Sequence, residues 1–558
     1  MSTVGRRQAG SGGGILTPLR LPLFRSVWIA NLVGSTGWLV QGVGAGWLMT
    51  TISGTPEMVA LVQTATLAPI LLFALVAGAL ADLWDRRLVL LLAQLWVSAV
   101  SAGLAIISGL GLVTPVVLLL FTFLIGTGAA LNGPAWQAVV REIVPREQLA
   151  AAVTLNAIGF NLARALGPAV GGAVVAAYGT EAAFVANAFA ALALVVVLLF
   201  WRRQLPPDDL PRERLGSAVV TGLRYVGETP AIGAILVRGG VFGFAASAAL
   251  ALLPLVARDR LGGGPVTYGL LLGAFGIGAL LGAFLVHPLR QRRGAEFVIT
   301  ALSAAGGLAF LALGLVPYLF LPVLAALALA GTAWLGSFST FNISVQMSTA
   351  FWVQGRVLAL YQTIVFGTMA VGAWAWGELA GTTSLEVAHL AAGGMLLLGI
   401  ALHWRLPLPA GEAPDLQPAQ PQEPLPVMTA AIEEGPVMVQ IEYQVGAADA
   451  PAFVAAMDEV GHLRRRNGAL RWRLFQDLAD GEHWIEAFVL GDWVEHRRLR
   501  RRMTRTDVAL EARARAFHRG DGPPVRRYMI ARRHDSRFLL DAAEEAAVAG
   551  QRAPEAAK

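Results

Sequence analysis

Three ionisable side chains stand inside long apolar runs: Arg164, Arg238 and Glu378. A charge in hydrocarbon is costly, so each needs a counter-charge, water or a working role. A guanidinium carries five N–H donors in a fixed fork and stays charged at any physiological pH. Arg164 and Arg238 are therefore candidates to hold an anionic group, the alternatives being snorkelling or a structural ion pair. Glu378 lies near the end of its run and reads as interfacial. Around Arg164 the chain runs Asn161-Leu-Ala-Arg164-Ala-Leu-Gly167-Pro168-Ala-Val-Gly171-Gly172. Here Pro168 frees a backbone carbonyl and the glycines let a second helix approach closely, unless the face is only a generic packing stripe.

A second cluster is Gly78-Ala-Leu-Ala-Asp82-Leu-Trp-Asp85-Arg86-Arg87. Gly78 permits close helix approach, Asp82 can cap the next helix or pair with an arginine, and Arg86 and Arg87 set a positive charge at a helix start. By its residues alone it reads as a positively charged turn between two helices. There is no cysteine, no metal-ligand spacing and no nucleophile–base pair. No catalytic residue, metal or cofactor is expected, and the chain does not read as an enzyme.

These residues need helices across a bilayer to position them. Only 14% of the 558 residues are charged, against roughly a quarter in soluble chains, and the charges crowd beyond Pro436. A bilayer core takes ~20 apolar residues of helix. Candidate spans lie at 27–49, 57–81, 88–110, 114–138, 149–177, 181–201, 230–257, 266–288, 296–316, 319–341, 356–380 and 386–404. The fold class is thus an all-α polytopic membrane protein with twelve transmembrane helices. The first span follows Arg6, Arg7, Arg20 and Arg25 and lacks a cleavage site, so it is expected to be retained. Arg86, Arg87, Arg141, Arg146, Arg202, Arg203, Arg290, Arg292, Arg293 and Arg356 all fall on even-to-odd joints. Both termini are therefore expected in the cytoplasm of a bacterial cell, with Arg258 and Arg260 as the exception. The arginines punctuate apolar segments and form no single patch, which argues against a nucleic-acid partner.

The chain also repeats itself. Gly78 and Gly282 are 204 residues apart, and Gly167/Gly372 and Gly172/Gly377 are each 205 apart. Two six-helix pseudo-repeats explain these offsets. The expected divisions are 1–201 and 230–405 for the two bundles, 202–229 for the bridge, 406–436 for a Pro-rich linker, 437–534 for a soluble domain and 535–558 for a flexible tail. In the soluble part, strands at 437–445, 470–478, 483–490 and 525–531 alternate with helices at 450–466 and 493–518. This βαββαβ order suggests a ferredoxin-like α+β domain. Its basic helix with Arg497, Arg498, Arg500, Arg501 and Arg502 is either a contact for anionic lipid or a solvated face.

The Gly78–Arg87 loop resembles the hallmark loop of the major facilitator superfamily, where it steadies one gating state. The Gly167–Gly172 stretch is similar to the glycine–proline motif of that superfamily's exporters. Further likeness lies in Phe24-Arg25-Ser-Val-Trp28, Trp47-Leu-Met-Thr50, Pro134-Ala-Trp136-Gln137, Gly355-Arg356-Val and Trp493-Val-Glu495-His496. These resemble the transmembrane secretion effectors, the family of bacterial exporters that includes the enterobactin exporter. The resemblance implies a major facilitator fold in the inner membrane. It also implies efflux of a siderophore or other hydrophobic small molecule by alternating access, with proton coupling by analogy; an importer of the same fold is the alternative. In that fold Asn31, Trp38, Gln41, Asn132, Trp136, Arg238, Phe242, Trp334 and Phe338 would line an amphipathic, aromatic cavity. Thr122 stands where many proton-coupled drug exporters carry an arginine. The soluble part also resembles the dimeric α+β barrels of small monooxygenases. It is therefore a candidate dimerisation element, or a ligand sensor with Trp472, His483, Trp484, Trp493 and His496 about a pocket.

Overall fold

The computed structural model describes residues 16–83, 85–145, 148–201, 215–315, 319–409, 415–417, 419 and 435–531. Its first helices are α1 (Pro22–Ile52), α2 (Pro56–Leu83), α3 (Arg86–Gly109), α4 (Pro115–Ile143), α5 (Leu149–Tyr178) and α6 (Thr180–Phe200). A short amphipathic helix, α7 (Leu215–Gly227), follows. Then come α8 (Pro230–Leu255), α9 (Pro265–Leu315), α10 (Phe320–Met347), α11 (Gln354–Thr382) and α12 (Leu385–Gly399). Proline opens α1, α2, α4, α8 and α9, where it has no orphan N–H and its φ is already helical. Asp85 caps α3 by accepting from the Arg87 N–H at 2.8 Å, and Thr114 and Ser384 do the same for α4 and α12. Gly294 takes φ 81° inside α9 and turns it into two helical arms, so two of the expected spans belong to one element.

Among the described residues eleven helices are long and apolar enough to cross a membrane. The chain is a multi-pass membrane protein. The expected first span, α1, is 31 residues long but is not one of the eleven, since Asn31, Ser35, Thr36, Gln41 and many glycines dilute its hydropathy. Those residues serve contact with protein. A Cβ on Gly37 would stand 2.4 Å from the Cβ of Ala190, and one on Gly44 would stand 2.8 Å from the Cβ of Ala183. Phe189, Phe200, Phe284 and Leu321 are exposed on the outside of their helices, as a surface facing lipid requires.

The chain forms two compact units. The first comprises Met1–Leu215, Ala231–Gln346 and Leu358–Gly411, and the second Gly216–Pro230, Met347–Val357 and Glu412–Lys558. In the second unit β1 (Val437–Gln444), α13 (Ala450–Arg466), β2 (Arg471–Gln476), β3 (His483–Leu490), α14 (Trp493–Arg502), α15 (Arg505–Arg515) and β4 (Val525–Ile530) build an antiparallel sheet in the order β2-β3-β1-β4. Alternate residues of β1 and β3 (Val437, Val439, Ile441 and Tyr443; Trp484, Glu486, Phe488 and Leu490) are buried beside Phe453, Met457 and Val460 of α13.

The expected helix at 493–518 is in fact two helices. Met503 leaves the helical region and Thr504 restarts it with a capping box. Its hydroxyl accepts from the Asp507 N–H at 3.2 Å, and the Asp507 carboxylate accepts from the Thr504 N–H at 2.9 Å.

The second unit takes in pieces that lie far away in sequence. The Tyr225 hydroxyl of α7 accepts from the Ala350 N–H at 3.0 Å, and its ring meets Trp352 edge-on at 5.8 Å. Arg466 lies over the Tyr225 ring at 5.6 Å and Arg502 over the Trp352 ring at 4.6 Å. Glu228 accepts from Arg465 at 2.9 Å and pairs with His462 at 2.7 Å. Contiguous boundaries read from sequence do not anticipate a unit assembled this way.

Candidate site in the helical unit

The glycine–proline stretch of α5 packs closely against α9. A Cβ on Gly172 would stand 2.6 Å from the Pro265 carbonyl oxygen and 3.0 Å from the Gly269 Cα of α9. One on Gly269 would stand 2.7 Å from the Pro168 carbonyl oxygen. Gly167 and Gly171 face Leu39, Val40 and Val43 of α1. The two glycines 205 residues later make matching approaches: Gly372 to Phe244 and Ser247 of α8, and Gly377 to Ala60 of α2. At this end of the unit Arg258 donates to the Thr50 carbonyl, and at 3.1 Å to the Gly54 carbonyl; Arg260 pairs with Glu386. These local partners account for the two arginines that break the positive-inside pattern.

Arg164 sits near the middle of the Ala151–Tyr178 span and is half-buried. Its guanidinium lies 4.9 Å from the centre of the Phe160 ring and 4.6 Å from that of Trp334 on α10. Trp334 continues the cluster: Phe338 is edge-on at 5.0 Å and Phe275 at 5.8 Å. Phe338 in turn meets Phe242 at 5.4 Å, and Phe242 meets Phe341 at 6.3 Å. Four of the candidates read from sequence, Arg164, Phe242, Trp334 and Phe338, therefore converge. The Trp334 indole N–H is buried and has no hydrogen-bond partner among the described residues. Asn161, one turn before Arg164, bonds back to the Ala157 carbonyl at 2.9 Å.

Other candidates lie elsewhere. Arg238 makes a two-pronged pair with Glu296, at 2.8 and 2.7 Å, and Glu296 also accepts from the Leu408 N–H at 3.0 Å. Its charge is balanced within the chain. Gln41 accepts from Asn187 at 3.4 Å, and Asn187 also donates to Ser101 at 2.9 Å, a buried link between α1, α6 and α3. Asn132 accepts from Gln94 at 2.9 Å. Trp136 packs into apolar clusters with Val27, Leu90 and Phe24, while Asn31 and Trp38 are half-buried on α1. Thr122 is buried, and Glu378 is exposed near the end of α11.

In the loop cluster the surroundings of Gly78 and the side chain of Asp82 lie outside what the structure describes. Arg86 forms a 2.5 Å ion pair with Glu142 of α4. Arg87 donates to the Leu198 and Leu199 carbonyls at 2.6 and 3.0 Å, closing the C-terminus of α6. Sequence reading missed Phe160 and Glu296. The first stands one helical turn from Arg164, so helical spacing points to it; the second is a lone acid beside a run of arginines.

The second unit holds its own buried charges. Arg464 lies between Glu486, at 2.9 Å, and Glu511; Tyr443 and the Trp472 indole each donate to Glu486 at 3.2 Å. This cluster lies between the sheet and the helices, with Trp472 the member it shares with the pocket residues suggested from sequence. Burial raises the Glu511 pKa, but Arg464, Arg500 and Arg515 outweigh it and hold the carboxyl down to about 2. His496 stacks on Trp493 at 4.6 Å, and burial, then Arg500, Arg464 and Arg526, lower it to about 4. His483 pairs with Asp477 at 3.4 Å.

Comparison with known proteins agrees with this architecture. A family profile described as transmembrane secretion effector matches residues 13–535. The enterobactin exporter EntS of Escherichia coli O127:H6 is 28% identical over 392 residues, spanning 68% of this chain and 91% of the exporter. EntS of Shigella boydii serotype 18 is similar to the same extent. A bacterial homolog of the human lysosomal transporter Spinster, solved inward-facing and occupied, superposes with TM-score 0.57 at 15% identity over 70% of this chain and 97% of that one. The nucleoside transporter NupG does so with TM-score 0.55 at 12% identity over 69% and 98%.

Proposed function

Because the chain belongs to the transmembrane secretion effector family of major facilitator superfamily transporters, we propose that it exports a small organic molecule by alternating access. The substrate is a siderophore or another hydrophobic compound. The observation that carries the reading is the Gly167–Gly172 face of α5, which lies against α9 with no room for a side chain at Gly172. A face that close seals one end of the unit, and the Trp47–Tyr268 stack at 6.5 Å closes the same end. Any alternating-access carrier closes one end at a time, so the direction rests on the likeness of this stretch to the glycine–proline motif of exporters.

In this reading α1 is the twelfth span, the two halves are pseudo-repeats, and both termini lie on the cytoplasmic side of the inner membrane. The Asp82–Arg86 loop steadies the outward-open state, and a proton gradient drives transport. The second unit is a ferredoxin-like domain that dimerises or rests on anionic lipid.

The test is efflux of a panel of fluorescent hydrophobic compounds and siderophores from cells carrying wild type or Gly172→Val, with and without a protonophore. Lower accumulation that needs both Gly172 and the gradient is the expected result. Accumulation raised by the wild-type protein overturns the direction in favour of an importer.

A further inference from the structure

We infer that Arg164 and the Trp334 indole form the recognition point for an aromatic organic anion, whose carboxylate or phenolate takes the guanidinium. The inference rests on the transporter reading and names the substrate class of its site.

Four other arginines of the helical unit have acidic partners. Arg86 has Glu142, Arg238 has Glu296, Arg258 has Asp259 and Arg260 has Glu386. Arg164 lies deeper along its span than any of these, and among the described residues no carboxylate or other acceptor meets its guanidinium; its contacts are the two rings. Ring faces attract a cation but accept none of its in-plane N–H groups in the way an oxyanion does. A cation in the hydrocarbon layer needs a counter-charge. At this position the chain supplies none among the described residues, and lipid headgroups lie half a bilayer away. The counter-charge therefore arrives with the cargo.

A second observation points the same way. The Trp334 N–H is buried and unpartnered, although burying an amide-like donor without an acceptor is unfavourable. It belongs to the ring over which the Arg164 guanidinium lies, so one oxyanion can take donors from both. Phe338 and Phe242 extend the wall edge-on beyond Trp334. A flat aromatic body can pack there while its acidic group reaches Arg164.

The experiment uses the full-length protein in phospholipid nanodiscs, with empty nanodiscs as the partition control. The probes are 2-naphthoate, its uncharged counterpart 2-naphthamide, and inorganic phosphate as an anion without a ring. Wild type is expected to bind the acid on the order of ten- to a hundred-fold more tightly than the amide, with phosphate a poor competitor. Arg164→Gln should abolish that ratio and Arg164→Lys keep part of it. Trp334→Phe, which retains the ring and drops the N–H, should lower it a few-fold. Circular dichroism and gel filtration establish that each variant is folded.

Equal binding of acid and amide by wild type, no binding of either, or a preference that survives Arg164→Gln overturns the proposal. Full competition by phosphate overturns its aromatic part. Acid preference without efflux of any compound supports the site and removes the exporter reading; efflux of uncharged dyes without acid preference does the reverse.

Discussion

Arg164 and Arg464 are both withdrawn from bulk water, and their surroundings are opposite in kind. Arg464, between sheet and helices of the second unit, is 2% exposed and has Glu486, Glu511 and the Phe488 ring around it. Arg164, in the helical unit, has rings alone among the described residues. A buried arginine with its carboxylates beside it is complete and needs nothing from outside. One with only aromatic neighbours is incomplete until an anion arrives. Arg238, with Glu296, falls on the Arg464 side of this division despite lying in a transmembrane helix. Partner chemistry, more than depth, separates the structural arginine from the one available for recognition.

The largest expected effect comes from breaking the complete site. Arg464→Met leaves Glu486 and Glu511 facing each other in the interior, a loss of roughly 3–5 kcal/mol. It should appear as a large fall in the unfolding midpoint of the second unit, followed by limited proteolysis of the full-length protein. Arg164→Gln in the same assay should shift the helical unit far less. An equal shift from both variants would erase the distinction.

Acid should weaken the second unit on two fronts. His496 has a folded pKa of about 4 against an ordinary 6.5, so protonation favours the unfolded chain. The stability is intact above pH 6.5 and is lost as pH falls toward 4, on the order of 3 kcal/mol in all. Glu511, held to about 2, adds a loss that begins below the ordinary carboxylate range and completes as pH falls through 2. Thermal unfolding of wild type and His496→Gln between pH 7 and 4 checks the first window, since the variant should lack it.

The smallest effect belongs to Glu228→Gln, which removes a partly exposed pair with Arg465 and should cost about 1 kcal/mol or less. A much larger loss would place α7 among the essential parts of the second unit's core.

Much of this was legible in the sequence. Long apolar runs declare membrane helices because no other pattern covers a chain with so few charges. The 205-residue spacing of Gly167/Gly372 and Gly172/Gly377 reappears as matching helix approaches. Strand alternation located β1 and β3 because every second residue is buried. Arg164 and Trp334 could be named individually, but their contact joins helices distant in sequence, and no local pattern carries it. The break at Thr504 was overlooked although Thr504 and Asp507 have capping-box spacing, since the basic run on either side reads as one continuous helix. The Arg238–Glu296 pair was missed for the same reason as the Arg164 cage: its members are 58 residues apart.

The assembly of the second unit from three stretches of chain has a consequence for biosynthesis. The Glu228–Arg465 contact closes across 237 residues. At ~5–20 residues per second, about 10–50 s pass between the emergence of α7 from the ribosome and that of α13. Through that interval Tyr225 has neither Arg466 above it nor, at first, Ala350 beside it. An amphipathic helix without its protein partner settles at the membrane–water boundary. The bilayer surface is thus the expected holding place for α7 until α13 has been made. Any truncation that stops before β1 leaves the helix there.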